Sequence, residues 1–353
     1  MRYRNTALCI ALGIAVMAVI AGGCDDSRVA TGRGSAPEAP PDIANPADGG
    51  TPEANGDAGN ADADAGTAPT TSPVPAAGGA DTLDVGSWNI EWFGSPDEGP
   101  ADEALQTARV RDTVLGARVD VWGFEEVVDG ERFRAAIQSV PGYQAIVGSD
   151  AIVEGGAASY GPDEQKVAFA YNAQLVRVRS AQVILRESSF DFAGRPPLAI
   201  EASYETPDGR TVPVTFIVVH LKAGNDSSAW NRRQASIAAL KSLLDSRAEA
   251  EAIFVVGDWN DELGRSKVKG NDSPFASLVR DSARYAFPTL SFGERGISTM
   301  VTSRFANDQH VITIAAAVAY VAGSATVLRL DNVFAAYGDT TSDHFPVVSR
   351  YRP

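Results

Sequence analysis

From Thr82 onward the chain alternates short apolar runs, rich in β-branched and aromatic residues, with segments whose apolar positions recur at helical spacing. Strands are predicted at Leu83–Ile90, Val119–Val128, Tyr143–Val147, Lys166–Tyr171, Ala181–Arg186, Leu198–Tyr204, Val212–Leu221, Ala252–Val256, Val327–Ala335 and Phe345–Tyr351. Phe216–Val219 is apolar without a break, as in a strand covered on both faces. Helices are predicted over Asp102–Arg118, Glu131–Val140 and Ser227–Arg247; in the last, Ile237, Leu240 and Leu244 share one stripe. Arg232 and Arg233 fall on its polar positions, where a solvated helix face is the simple reading and phosphate contact the other. Val311–Val327 fits either a helix or two strands.

Before Thr82 the pattern changes. Arg2 and Arg4 precede an apolar run, Ala7–Ile20, closed by Ala21-Gly22-Gly23-Cys24. That is a secretory signal, too short for a confident membrane span. The small residues ahead of Cys24 fit a lipid-attachment site with Cys24 as first mature residue; a plain signal peptide is the alternative. Asp25–Ala80 is dominated by Ala, Gly, Pro, Asp and Thr and cannot bury enough surface to order itself, so a flexible tether is expected there. Residues 81–353 then form one α/β domain. Its stability does not depend on disulfides, because both cysteines of the chain, Cys9 and Cys24, precede it.

Charge narrows the function. The chain carries 45 acidic against 30 basic Lys and Arg residues, a formal net charge of −15. The tether takes part of that excess and the domain remains acidic. A binder of nucleic acid through a broad basic surface is disfavoured. A nuclease is not, because bound cations can neutralise the field at its site.

Candidate chemistry gathers in four fragments at predicted strand ends: WNIEWF (Trp88–Phe93), HLKAG (His220–Gly224), GDWND (Gly257–Asp261) and SDHFPV (Ser342–Val347). Of three histidines, His220 and His344 fall inside these fragments, while His310 reads as a surface or loop residue. A histidine serves as acid or base near neutrality. Asp258 and Asn260, two apart on an extended segment, share a face and can hold a water and a phosphate together. Asp261 reads as a loop acid. The set points to metal-dependent cleavage of a phosphoester.

In this order the fragments resemble the endonuclease/exonuclease/phosphatase superfamily over Asp81–Pro353. The resemblance implies a four-layer α/β/β/α sandwich, with two mostly antiparallel sheets face to face, helices outside and the site at one end. It implies Glu126 as principal metal ligand, with Asn89 and Asp343 beside it; Asn89 and Trp88 also have a purely structural reading as strand end and core. Glu125 stands where the family has glutamine, and reads as a surface or loop acid or as a ligand for a second cation. His344 is implied as general base oriented by Asp331, and Asp258 and Asn260 as positioning groups. His220 is implied as the group that stabilises or protonates the leaving oxygen, supported by Glu164 or by Gln165. Mg²⁺, Mn²⁺ or Ca²⁺ is the implied cofactor.

The function so implied is an exported phosphodiesterase, anchored to a membrane through Cys24 or else secreted, that cleaves DNA and extends to RNA. A histidine at position 220 resembles the deoxyribonuclease and sphingomyelinase branches rather than abasic-site repair enzymes. A sphingomyelinase-like or phosphoinositide-directed enzyme is the alternative, with Phe287, Leu290 and Phe292 as candidate apolar groups at the site mouth. A non-catalytic surface binding module is the third. No protein partner is implied.

Overall fold

The computed structural model describes residues 71–353. The signal segment, Cys24 and the expected tether up to residue 70 lie outside the described residues. Residues 71–80, also expected to be tether, belong to the domain instead. Val74 is 5 % exposed within the apolar core, Ser72 Oγ donates to Asp112 O, and the amides of Ala77 and Gly78 both donate to Ala117 O. One buried valine and the unpaired carbonyls at a helix end are enough to fix the segment.

Twelve strands form two six-stranded sheets. They are β1 (Leu83–Phe93), β2 (Val121–Val127), β3 (Tyr143–Val147), β4 (Lys166–Asn172), β5 (Val176–Val183), β6 (Leu198–Glu205), β7 (Thr211–His220), β8 (Ile253–Asp258), β9 (Tyr285–Ala286), β10 (Asp308–Thr313), β11 (Thr326–Val327) and β12 (Val347–Tyr351). The orders are β11-β12-β1-β2-β4-β3 and β5-β6-β7-β8-β10-β9. Pairing is antiparallel except at β1–β2 and β7–β8. Those two pairs are joined by the helices α1 (Glu103–Ala117) and α3 (Ser227–Leu244), because parallel neighbours need a long crossover. The third long helix, α2 (Gly130–Gln138), packs beside α1.

Two predicted strands and the segment left open between helix and strands differ most from expectation. Val327–Ala335 keeps only Thr326–Val327 as strand; Leu330–Asn332 is a 3₁₀ turn, where Arg329 and Asp331 turn outward and pair with each other. The predicted Ala181–Arg186 strand runs instead over Val176–Val183 and stops before Leu185, which adopts a left-handed conformation (φ 55°). Val311–Val327 is neither of its two expected forms: it holds the end of β10, a helical turn at Ile314–Ala317, and β11. Among the described residues no helix is long and apolar enough to cross a membrane.

Strand alternation positions the site. Side chains two apart share a face. Leu83 and Val85 on β1, Val121 on β2, Phe216 and Val218 on β7, Phe254 and Val256 on β8, and Ile312 on β10 make one core between the sheets. On the outer faces Ile90 and Phe124 share a core with Phe133 of α2, whereas Ile217 and Val255 share one with Leu240 of α3. Following the inter-sheet face along each strand, the residues become polar toward one end: Ser87 and Asn89, Glu125, His220, Asp258, and His310 and Asp308. The apolar half of each strand holds the sandwich shut, and the polar half opens at its rim.

Candidate active site

Register brings the polar ends together. Asp258 on β8 pairs with His220 on parallel β7 and with Asp308 on antiparallel β10. Asp258 Oδ2 lies 3.5 Å from His220 Nε2 and 3.9 Å from His344 Nε2, so one carboxylate stands between two imidazoles. Asn260 Nδ2 donates to the same oxygen at 2.8 Å, and the Asn260 amide donates to Oδ1 at 2.8 Å. Asn260 adopts a left-handed conformation (φ 55°) that folds its side chain back on Asp258.

His344 is held from all sides. Its Nδ1 meets Asp308 Oδ2 at 2.9 Å, its amide donates to Ser342 Oγ at 2.9 Å, and Trp88 Nε1 donates to its carbonyl at 3.2 Å. Ser342 Oγ in turn donates to Asn89 O at 2.7 Å, tying the C-terminal motif to β1. Trp88 therefore fills core and fixes His344 at once. On the far side of Asp258, Glu126 Oε1 lies 3.7 Å from His220 Nε2. Left-handed Glu91 and Trp92 (φ 45° and 48°) curl the chain so that the Trp92 amide reaches Glu126 Oε2 at 3.1 Å. Trp92, Glu126, His220, Asp258, Asn260 and His344 line an open cleft of about 530 Å³, shared with Arg195, Lys267 and Asp343.

The profile of the endonuclease/exonuclease/phosphatase family matches residues 86–344, which takes in the first three motifs, the fourth as far as His344, and this cleft. The chain belongs to that family. A search of curated protein sequences finds no significant match. Solved structures with the same fold include D. rerio TDP2 complexed with a single-strand DNA product (12 % identity, 77 % of this chain and 99 % of that one, TM-score 0.52). Others are a family protein from Bacteroides vulgatus (13 %, 76 % and 98 %, 0.52) and an AP endonuclease from Archaeoglobus fulgidus (13 %, 77 % and 100 %, 0.51). At these identities they establish the fold, two mixed sheets flanked by helices. As a family member the chain is a phosphodiester hydrolase.

Within this family framework several expected roles change hands. Asp331 does not reach His344: it is bound to Arg329 at 2.5 Å on the surface, and Asp308 holds the imidazole instead. Glu164 does not support His220 either. It accepts the Gly161 amide at 2.6 Å in its own turn, Gln165 binds Arg195, and His220 Nδ1 is buried without a partner. Asn89 turns its nitrogen toward the site, donating to Glu126 Oε1 at 2.9 Å and Asp258 Oδ2 at 3.3 Å. Its oxygen accepts the Glu91 amide at 3.0 Å, which fixes the amide's sense with the nitrogen toward Glu126 and Asp258.

Others prove buried. Glu125 is fully enclosed, with both carboxylate oxygens unpartnered, so it is neither a surface nor a loop acid. His310 bridges the sheets through Ser87 (3.1 Å) and Ser349 (2.7 Å), and burial drives its pKa down to about 3. Arg233 and Asp261 form a wholly buried ion pair at 2.8 Å instead of a solvated face and a loop acid. Phe292 is buried with Ala306 and Val347, Phe287 and Leu290 are part-buried against the core under α3, and none of the three lines the cleft.

Sequence reasoning does not reach three residues of the site: Arg195 and Lys267 on the cleft wall, and Asp308 buried behind His344. Asp308 opens β10 with the same polar-at-the-strand-end pattern as His220 and Asp258, which is the one signal for it. Arg195 precedes β6 and binds Gln165 and Leu221 O, with its Nε unpartnered. Lys267 reaches Asn260 Oδ1 at 3.3 Å from a loop pinned by Asp261, whose Oδ1 accepts the Lys267 amide at 2.6 Å.

Electrostatics separates the two histidines. Burial, then the charges of Arg195 and His344, holds His220 well below the usual range, so it is neutral. Burial alone would lower His344 too, but Asp308 and Asp258 outweigh it and hold it well above. Burial raises the carboxyls of Glu126, Asp258 and, to about 7, Glu91. Such crowding of buried carboxylates suits a divalent cation. Asp258, Asp308 and His344 offer ligand atoms within 4.8 Å of one another, and Glu126 and Asp343 add oxygen donors on the cleft wall.

Proposed function

We propose that this family member is a divalent-metal-dependent nuclease, exported and lipid-anchored through Cys24, with DNA as its principal substrate. The observation that carries the proposal is Asp258 standing between His220 and His344, with His344 backed by Asp308. Asp308 fixes the imidazole through Nδ1; with a cation in the cleft to offset the carboxylate charges that hold His344 protonated, Nε2 would be free to accept a proton from water, the logic of a His–Asp pair. Asp258 and Asn260 hold that water beside the phosphate. The P–O bond to the leaving group breaks as the new P–O bond forms, and His220 stabilises the departing oxygen by hydrogen bonding. Arg195 and Lys267 supply fixed positive charge for the phosphate oxygens in a cleft that is otherwise acidic.

Glu126 and Asp343 would hold the cation, Mg²⁺ or Mn²⁺ for preference, while Asn89 orients Glu126. When bound, the cation withdraws charge from a phosphate oxygen. The relative complexed with single-strand DNA supports a nucleic-acid substrate over a lipid. The inward packing of Phe287, Leu290 and Phe292 weakens the sphingomyelinase alternative. Export and anchoring rest on Arg2–Cys24 alone.

Plasmid nicking by the purified protein with Mg²⁺, Mn²⁺, Ca²⁺ or EDTA tests this. Metal-dependent nicking is expected, with His344→Ala slower by about 10²–10⁴-fold. Plasmid left intact under every metal, beside turnover of sphingomyelin or phosphoinositide, would reject the nuclease.

A further inference from the structure

The segment between β5 and β6 is a compact finger at the cleft. Ala193 and Gly194 take left-handed conformations (φ 60° and 83°), and Gly194 N donates to Ser189 O at 2.8 Å, which closes the turn. Phe192 is fully buried in the core with Leu221 and Trp259, anchoring the finger from below. Arg195 at its base lines the cleft and contacts Leu221 O at 3.2 Å. Phe190, at its tip, is 73 % exposed.

That exposed ring is not loose. The Arg232 guanidinium lies over it, 4.2 Å from the centroid, and also donates to Phe190 O. One ring face is therefore covered by a cation and the other is open. Arg232 stands on α3, directly after the Lys222–Asn225 loop that forms the cleft wall, and its charge is felt at Arg195. On a chain of net charge −15 the finger itself is balanced, Arg186 and Arg195 against Glu187 and Asp191, and Arg232 adds one positive charge against the exposed ring. Anionic groups spaced by flat apolar rings are the chemistry that matches it, and a nucleic-acid strand has both.

We propose that Phe190 and Arg232 form a flanking subsite that takes an unpaired nucleotide next to the scissile phosphate, its base stacked on the open face of Phe190. The proposal rests on the nuclease reading above. It separates the parts of the site: the cleft acts on one phosphodiester, and the finger selects substrates with a single-stranded flank. A bilayer-inserting tip is the competing occupant. A ring clamped against a guanidinium, with Phe287, Leu290 and Phe292 packed inward, favours the nucleotide.

The test compares kcat/KM for a single-stranded oligonucleotide with that for bis(p-nitrophenyl) phosphate, a diester too small to reach the finger. Phe190→Ala is expected to lower the oligonucleotide-to-small-diester ratio by about 5- to 150-fold, mainly through KM, as loss of one stacked base predicts. Phe190→Tyr restores it. An unchanged ratio in Phe190→Ala, with the wild type cleaving the oligonucleotide, overturns the subsite and leaves the nuclease standing. A wild type that turns over the small diester and spares the oligonucleotide overturns both. Phe190→Ala that loses binding to anionic phospholipid vesicles while keeping its oligonucleotide KM assigns the finger to membranes and overturns the proposal.

Discussion

Single residues decide the chemistry through their partners. The histidine of the last motif is legible in the sequence; its carboxylate is not. Asp331 and Asp308 are both close to predicted strands, and only the three-dimensional pairing tells that one meets Arg329 and the other His344. Replacing each by asparagine separates them. Asp308→Asn is expected to lower kcat about 10²–10⁴-fold, because the imidazole loses its orienting charge. Asp331→Asn should stay within about twofold of wild type, since an exposed ion pair contributes little. Equal losses in the two variants would overturn the assignment of Asp308.

At the level of elements, α3 does more than cover a sheet. Arg233 projects from it into a dry site, donating to Asp261 Oδ2 (2.8 Å), Lys222 O (2.8 Å) and Gly224 O (3.0 Å). One side chain thereby ties the loop after β7 to the loop after β8, and Asp261 passes the constraint on to Lys267. Arg233→Ala leaves Asp261 buried and unpaired, which should cost about 3–5 kcal/mol in denaturant unfolding. Arg233→Met with Asp261→Leu should recover part of that stability and little of the kcat/KM. Full recovery of activity in the double variant would show that the pair has no positioning role. Helical periodicity could not reveal this, because an arginine on a polar position reads as solvated until the neighbouring loops close over it.

For the whole molecule, a second acidic cluster at the opposite, N-terminal end of β1 couples folding to pH. Asp120 Oδ2 accepts the Asp84 amide at 2.9 Å, and burial lifts Asp84 to about 6 and Asp120 to about 7. Raised carboxyl pKa values favour the protonated form in the fold. Their contribution to stability is complete below about pH 4 and is lost as pH rises through about 7. Asp120→Asn keeps the acceptor and removes the charge. It should raise stability by about 2 kcal/mol near pH 8, from a shift of roughly three units at about 1.4 kcal/mol each, discounted for relaxation, and leave it unchanged near pH 4. Thermal melts across that range in EDTA provide the check, and a gain that does not vary with pH would refute it. The sequence by itself determined most of the strands and long helices and the motifs at their ends, because strand alternation and helical spacing are local properties of the chain; the sandwich followed from the family those motifs resemble. It also marked His220, His344, Asp258, Asn260 and Glu126 as residues at strand ends. Tertiary structure alone decided which carboxylate faces which imidazole, that Asn89 turns its nitrogen to Glu126 and Asp258, that Glu125, His310 and Arg233 are buried, and that Arg195 and Lys267 line the cleft with Asp308 behind His344. Those outcomes depend on register between strands far apart in the chain and on loops closing over charges, neither of which leaves a local pattern.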